Sequence, residues 1–426
     1  MTTVLSTKFS DIKGNLSALQ NELYGNCSEA STSRFIKLIE NHREHFKSSG
    51  VAEMFSAPGR IEITGNHTDH NGGKVLTAAV SVDILAVVEK RNGNIIRVKS
   101  EGYSEISVDI RNLASKPEDN GTSTALVRGV LDYYTKKGYK VGAFDASLNS
   151  NVPKGAGVSS SSSFEVLVAE ILNVLYNDNS ISKIEKAKAS KYAENEHFKK
   201  PCGLMDQAAI ALGGINVIDF ENAQNPIVTP CQWSFTDLDV FVINTGGDHS
   251  DLIADYAGIL GEMEAVANYF DKWNLRSCTK QQVLDNARAL KDKISGRAVL
   301  RALHFFDETR RVEMAQDALK NRDEEKFLKI IRKSAHSSWE LLQNLYSPND
   351  REQLIPFAIE MSKECKGVKA ARVHGGGFAG TILAFVQKDS SSSYFDKMNR
   401  LFGKENVFKL SIRESGARQV LHLEEL

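Results

Sequence analysis

The sequence predicts an α+β protein of two lobes that meet near residues 200–225. Three observations carry this. Residues 54–110 are rich in β-branched residues, with Ile61 and Ile63 alternating with polar neighbours. Residues 251–345 are charged and helix-like with very few prolines. Residues 347–426 return to mixed patterning, and no internal repeat is present.

In chain order, 33–47 reads as a helix through Phe35, Ile36, Leu38 and Ile39. Strands are expected at 75–90 and 95–110, and helices at 124–137, 162–176 and 182–197. Strands at 215–220 and 240–244 follow. The C-terminal part is expected to hold strands at 370–374, 381–386 and 407–412 and a helix at 394–402. The serine run 390–393 reads as a loop. The expected organisation is a helical extension over 1–49, an N-terminal lobe over 50–220 and a C-terminal lobe over 221–426.

Lys and Arg number 53 and Asp and Glu 54, a net charge of -1, which argues against a dedicated nucleic-acid binder. The longest apolar candidate, 75–88, is interrupted by Asp83, so no membrane span is expected. The first residues lack a basic-then-apolar signal pattern. Cys27, Cys202, Cys231, Cys278 and Cys365 are scattered without a CxxC pair, which argues against a disulfide framework or zinc site. The expectation is a reduced, cytoplasmic protein.

The sharpest local feature is 151–165, NVPKGAGVSSSSSFE. Gly155 and Gly157 free the backbone, Ser159, Ser160, Ser161, Ser162 and Ser163 follow, and an amphipathic helix begins directly after them. Ser162 and Glu165 have capping-box spacing. Free N–H groups at such a helix start suit a phosphate. Serine hydroxyls add donors and can ligate magnesium. The alternative, a flexible serine-rich linker, fits poorly with the strong helix that follows. Walker P-loop spacing is absent.

Two further clusters are polar. Residues 57–73 pack Arg60, Asn66, His67, Asp69, His70 and Asn71 between turn-marking glycines, a pattern suited to the hydroxyls of a small polyol. A metal is disfavoured because His67 and His70 lack the HExxH helical context; a merely solvated loop is the other reading. Residues 200–214 begin with Pro201 and Gly203 and then show helical spacing. Asp206 falls in the first turn, where it would also favour the helix dipole without any catalytic task. Finally, 374–380 holds four glycines in HGGGFAG, more than a plain turn needs.

Together these segments resemble the GHMP kinase superfamily and, within it, the galactokinase family. The first signature, GRxNxxGEHTDYNGG, is matched by GRIEITGNHTDHNGG at 59–73, and GLSSSAS by GVSSSSS at 157–163. CGIMDQ is matched by CGLMDQ at 202–207 and GGGFGG by GGGFAG at 375–380. Smaller echoes are Val127 to Val130, and His249 and Ser250 followed by Asp255 and Tyr256. The motifs occur in family order over about residues 50–415.

The resemblance implies an N-terminal lobe like ribosomal protein S5 domain 2 and a ferredoxin-like C-terminal lobe. It implies ATP-dependent phosphorylation of the anomeric C1 hydroxyl of galactose, with Mg2+. Asp206 would be the catalytic base or would orient that hydroxyl. Arg60 would neutralise phosphoryl charge and depress the Asp206 pKa. Asn66, His67, Asp69, Gly203 and Tyr256 fall at sugar-contacting positions, and Ser161 and Glu194 at magnesium-ligand positions. The partner expected is a small-molecule sugar, with no nucleic acid and no membrane; a monomer fits.

This chain departs from the pattern at Asn66 (family Glu), His70 (family Tyr) and Ser162 (family Ala), and a family basic pair is missing after Tyr256. Two alternatives therefore stand beside galactose phosphorylation. One is a 1-kinase for an N-acetylated or C6-modified galactose, a pentose or a uronic acid. The other is a catalytically silent sugar and ATP sensor.

Overall fold

The computed structural model describes residues 4–153, 155–247, 253–347, 351–378 and 380–426. His249 and Ser250 of the sequence resemblance lie outside the described residues. Among the described residues, thirteen strands run in chain order as β1 Leu5–Thr7, β2 Ala52–Thr64, β3 Lys74–Lys90, β4 Ile95–Ser100, β5 Ile106–Asp109, β6 Phe144–Ser150 and β7 Ile215–Asp219, then β8 Ile227–Cys231, β9 Leu238–Asn244, β10 Val368–His374, β11 Thr381–Gln387, β12 Val407–Leu410 and β13 Arg418–Leu423. They form a large sheet ordered β1-β13-β2-β3-β6-β4-β5, with β7 and β8 continuing from β3, and a small sheet ordered β10-β11-β9-β12.

The long antiparallel β2–β3 pair is the spine of the molecule. It is apolar on both faces because both are covered. Phe55, Ala57, Ala86 and Val88 meet helices Ser123–Lys136 and Ser160–Tyr176 through Leu126, Val130, Leu167 and Ile171. Met54, Leu85 and Val87 meet helices Ile12–Tyr24 and Glu29–Phe46 through Leu16, Leu19, Phe35 and Ile39. The N-terminal helical segment is thus the second cover of the sheet. The register of β2 shifts at Pro58 and Gly59, where a proline can be accommodated. A Cβ at Gly59 would approach the Val158 carbonyl oxygen to 3.1 Å, so the serine loop docks on the strand there.

The small sheet covers the second core. Phe241 and Ile243 pack with helices Leu354–Lys363 and Ser391–Phe402 through Ile355, Ile359, Tyr394 and Met398. Its other face, through Val242, Leu383 and Phe385, joins the main core beside Phe327 and Ile331.

Several expectations are corrected. The boundary at residue 220 is crossed twice, because β8 and β13 both belong to the large sheet. The serine run 390–393 is not a loop: a helix starts at Ser391, whose hydroxyl bonds the Asp239 carboxylate. The helix expected from 162 begins at Ser160, so Ser162 and Glu165 form no capping box. Expected strand 95–110 is two strands joined by a turn.

The N-terminal helices are tied to the sheet by a buried carboxylate. Asp83 has no solvent exposure. Its oxygens receive Arg34 Nη1 at 2.6 Å, Tyr24 Oη at 3.0 Å and Arg413 Nη1 at 3.4 Å. Removing one partner of a buried pair leaves charge uncompensated. Replacing Arg34 by Met should therefore lower stability by about 3 kcal/mol, read as a lower urea midpoint. An unchanged midpoint would show that this contact does not hold the N-terminal helices.

Candidate active site

Four glycine-rich or helix-start segments converge at one end of the β2–β3 pair. The Arg60 side chain leaves β2 and forks onto Asp206 in the first turn of helix Met205–Leu212, with Nε to Oδ1 at 2.8 Å and Nη2 to Oδ2 at 2.7 Å. Its remaining Nη1 donates to the Gly157 carbonyl. The Ser159 hydroxyl also donates to Asp206 Oδ2. Burial would raise the Asp206 pKa, but the Arg60 charge, its hydrogen bonds, Ser159 and Lys200 outweigh it, so the carboxylate lies below its ordinary value. Arg60 is buried, whereas the Asp206 side chain keeps 30% of its surface open. It is the open end of an otherwise closed pair.

Ser159 sits in the left-handed region, at φ +63, and closes the serine loop before helix Ser160–Tyr176. No side chain caps this helix, so its first N–H groups are open to an anion beside Asp206. Gly155 and Gly157 also have positive φ, and a Cβ at Gly157 would fall 2.4 Å from Thr381 Oγ1. Ser159, Ser160 and Ser161 are partly open. Ser162 and Ser163 are buried, and Ser163 Oγ is committed to the Pro58 carbonyl at 2.7 Å. The extra hydroxyl at Ser162 therefore points into the fold rather than into water.

The expected sugar-contacting residues divide into three groups. Asp69 and Gly203 meet directly: a Cβ on Gly203 would lie 2.0 Å from Asp69 Oδ2. Burial first, and then the nearby Asp206 charge, push the Asp69 carboxyl up to about 6. His67 and Tyr256 brace the second glycine loop. His67 Nε2 donates to the Gly376 carbonyl at 2.9 Å and Tyr256 Oη to Gly377 O at 2.8 Å. Burial pulls His67 down to about 4 and His70 to about 3, so both rings are neutral at pH 7. Asn66 is not brought to the cleft. It has no exposure, its Nδ2 donates to Gly375 O at 2.8 Å and Glu62 Oε1 at 3.1 Å, and its Oδ1 accepts from Asn344 at 2.9 Å.

The magnesium candidates do come together. Ser161 Oγ lies 3.4 Å from Glu194 Oε1. Among the described residues no group of three or more His, Cys, Asp or Glu could hold a metal. One hydroxyl and one carboxylate beside an uncapped helix start fit magnesium, which keeps several waters and shares phosphate oxygens when nucleotide is present. Buried Gln207 orients the Glu194 carboxylate, donating to Oε2 at 2.9 Å.

The profile of the galactokinase galactose-binding signature matches residues 40–90, and that of the GHMP kinases N terminal domain residues 125–214. A galactokinase from Pyrococcus furiosus is 32% identical over 355 residues, covering 81% of this chain and 92% of its own. The chain belongs to the galactokinase family. A galactokinase from Clostridium tetani is 29% identical, covering 87% of this chain and 93% of its own. Among solved structures, Lactococcus lactis galactokinase complexed with galactose superposes with a TM-score of 0.75 at 22% identity, over 96% of this chain and all of its own. The two-lobed GHMP kinase fold is therefore that of a galactokinase. The family transfers a phosphoryl group to a hydroxyl, with ATP as donor.

Galactokinase membership sharpens one departure. The signature has Asn where this chain has Glu62 and Glu where it has Asn66; the two are exchanged, and their side chains are hydrogen-bonded to each other. Sequence reading singled out Asn66 alone. It also passed over Arg372, Glu308, Asn344 and Gln207. The signal available for Glu62 was its place at the signature's Asn, and for Arg372 a lone charge inside a strand pattern.

Gly203 has an ordinary φ, so alanine is tolerated by the backbone but collides with the Asp69 carboxylate. G203A should keep its melting temperature while losing galactose affinity roughly tenfold, the loss of one charged hydrogen bond. Calorimetric titration with galactose checks this; unchanged affinity would separate Asp69 from the sugar site.

Proposed function

We propose that this chain transfers the γ-phosphoryl group of ATP to the anomeric C1 hydroxyl of galactose, forming galactose 1-phosphate and ADP. The observation that carries the reading is the forked Arg60–Asp206 pair, its carboxylate open to the cleft beside an uncapped helix start. Asp206 accepts the hydrogen bond of the C1 hydroxyl and aligns its oxygen on the γ-phosphorus. A carboxylate held below its ordinary pKa is a weak base, so the proton moves late, as the new P–O bond acidifies the hydroxyl and the bond to the β-phosphate oxygen breaks. Arg60 fixes both carboxylate oxygens and contributes positive charge next to the transferring group. Residues 155–163 supply N–H and hydroxyl donors to the nucleotide phosphates. Ser161 and Glu194 would hold a magnesium ion, which when bound neutralises phosphate charge. Asp69 and Gly203 shape the sugar pocket.

The reading includes a small-molecule sugar as partner and a cytoplasmic location, and a monomer is compatible with it. All five cysteines are free, and among the described residues no helix is long and apolar enough to cross a membrane.

Incubation with galactose and Mg-ATP should give ADP and galactose 1-phosphate in equal amounts. If another sugar in a panel of N-acetylated, C6-modified, pentose and uronic acid substrates has the higher kcat/KM, the substrate assignment falls and the kinase assignment stands. No turnover with any sugar would leave a sensor. D206N should lower kcat on the order of 10²- to 10⁴-fold with a small change in sugar KM.

The pH profile tests Asp69. Above about 6 its carboxylate accepts hydrogen bonds from the sugar; below, it is protonated. Galactose KM should therefore rise as pH falls through about 6, and the D69N variant should lose that dependence. A wild-type KM flat across this range would remove Asp69 from the pocket.

A further inference from the structure

Lys200 takes no part in the arrangement so far beyond its charge on Asp206. It stands in the turn between residues 193–197 and helix Met205–Leu212, and that turn is tightly built. Lys199 adopts the left-handed region at φ +67. This returns the Lys200 N–H to the Glu194 carbonyl at 3.0 Å, while the Cys202 N–H bonds Asn195 Oδ1 at 2.8 Å. The Lys200 side chain then comes back over the same residue, with Nζ 3.1 Å from Glu194 Oε1. That is the carboxylate oxygen that Ser161 Oγ also approaches, at 3.4 Å. An ammonium, a hydroxyl and a carboxylate oxygen thus meet beside the open N-terminus of helix Ser160–Tyr176.

The two partners differ in freedom. The Glu194 side chain is 3% exposed and held from behind by Gln207. The Lys200 side chain is 62% exposed, on a flexible four-carbon stem. A buried carboxylate needs a counter-charge, and Lys200 supplies one from the solvent side. An exposed ammonium paired with one carboxylate is weakly held, and a triphosphate arriving at the helix start offers it several anionic oxygens.

We propose that Lys200 is a nucleotide-contacting residue, whose ammonium moves from Glu194 to an oxygen of the ATP β- or γ-phosphate as nucleotide enters, leaving Glu194 Oε1 free for magnesium. The proposal rests on reading residues 155–163 as the ATP phosphate loop. Lys200 then meets the phosphates beside Ser161 and Glu194, and the buried carboxylate exchanges one cation for another without being left unpaired.

The test is equilibrium binding without sugar, so that it does not depend on turnover. A non-hydrolysable ATP analogue and AMP are titrated, each with Mg2+, into wild type, Lys200→Met and Lys200→Arg. Lys200→Met should weaken the ATP analogue roughly 10- to 100-fold and leave AMP unchanged. Its affinity should fall less steeply with added salt, and Lys200→Arg should restore most of the binding. Equal affinity of wild type and Lys200→Met for the ATP analogue overturns the proposal. So does tighter binding by Lys200→Met, which would make Lys200 a competitor of magnesium. A matched loss of AMP and ATP analogue with a lowered melting temperature would make it a structural brace and overturns it too. Should Lys200→Met not fold, Lys200→Gln against Lys200→Arg gives the same comparison. Wild type that fails to bind the analogue at all defeats the kinase reading itself, a result separate from any effect of Lys200.

Discussion

A guanidinium withdrawn from water must face a fixed anion, and Arg60 faces Asp206. Both carboxylate oxygens and all three guanidinium nitrogens are engaged, two nitrogens on Asp206 and one on the Gly157 carbonyl. That geometry requires β2, the serine loop and helix Met205–Leu212 to occupy one place at once. The bulge at Pro58 and Gly59 lets the loop approach the strand, and the Arg60 N–H bonds the Val158 carbonyl at 3.2 Å. The loop conformation, the open helix start and the depressed Asp206 carboxyl all depend on this pair.

Behind it lies a buried polar seam that joins the two sheets. Arg372 on β10 donates to Glu62 Oε1 at 3.0 Å and to the Ile63 carbonyl at 2.7 Å. Glu308 on helix Gly296–Lys320 accepts from Thr64 Oγ1 at 2.7 Å and from the Gly65 N–H at 2.9 Å. His374 Nε2 accepts the Glu62 N–H at 3.1 Å. Each contact ends on β2 or the start of the loop after it. The seam therefore sets where that loop begins, and so where Asp69 stands relative to Asp206. Buried polar contacts of this kind are demanding because every unpaired member is costly. Such a seam rigidifies the loop that carries Asp69, while the serine loop keeps open N–H groups and partly exposed serines.

The parts of the site legible in the sequence were those with local signals. Glycines before serines before an apolar helical stripe mark a helix start. Arg60 and Asp206 were visible because each stands in a compact run of unusual residues. The seam was not legible, since Glu62 and Arg372 meet across more than three hundred residues and Arg372 lies outside every motif. Strand β6 alternates Asp145, Ser147 and Asn149 with its apolar residues, the period of a strand, but the run is short and half polar, and the roles of its polar residues appear only once Arg97 and His42 are beside them. The return of β13 to the first sheet is a long-range pairing no window can reveal. The inward position of Asn66 is not legible either: the next residue, His67, takes φ +56, and the Asn66 amide lies buried against Gly375, Glu62 and Asn344.

The inward position of Asn66 also explains why its exchange with Glu62 involves both residues. An ionised carboxylate only accepts hydrogen bonds, whereas a carboxamide donates and accepts. At position 66 the side chain faces two acceptors, the Gly375 carbonyl and the Glu62 carboxylate, and two donors, Asn344 and the Ser338 hydroxyl. Only an amide meets all four. At position 62 the side chain faces Arg372 and the Asn66 amide, both donors, and a carboxylate serves both. Restoring Glu at 66 alone would set two buried carboxylates and a carbonyl against each other. Restoring Asn at 62 alone would leave Arg372, fully buried, without its anion. The pair can be read in either order but not half-exchanged, and in this order the negative charge stands on the strand, facing Arg372, rather than on the loop that follows it.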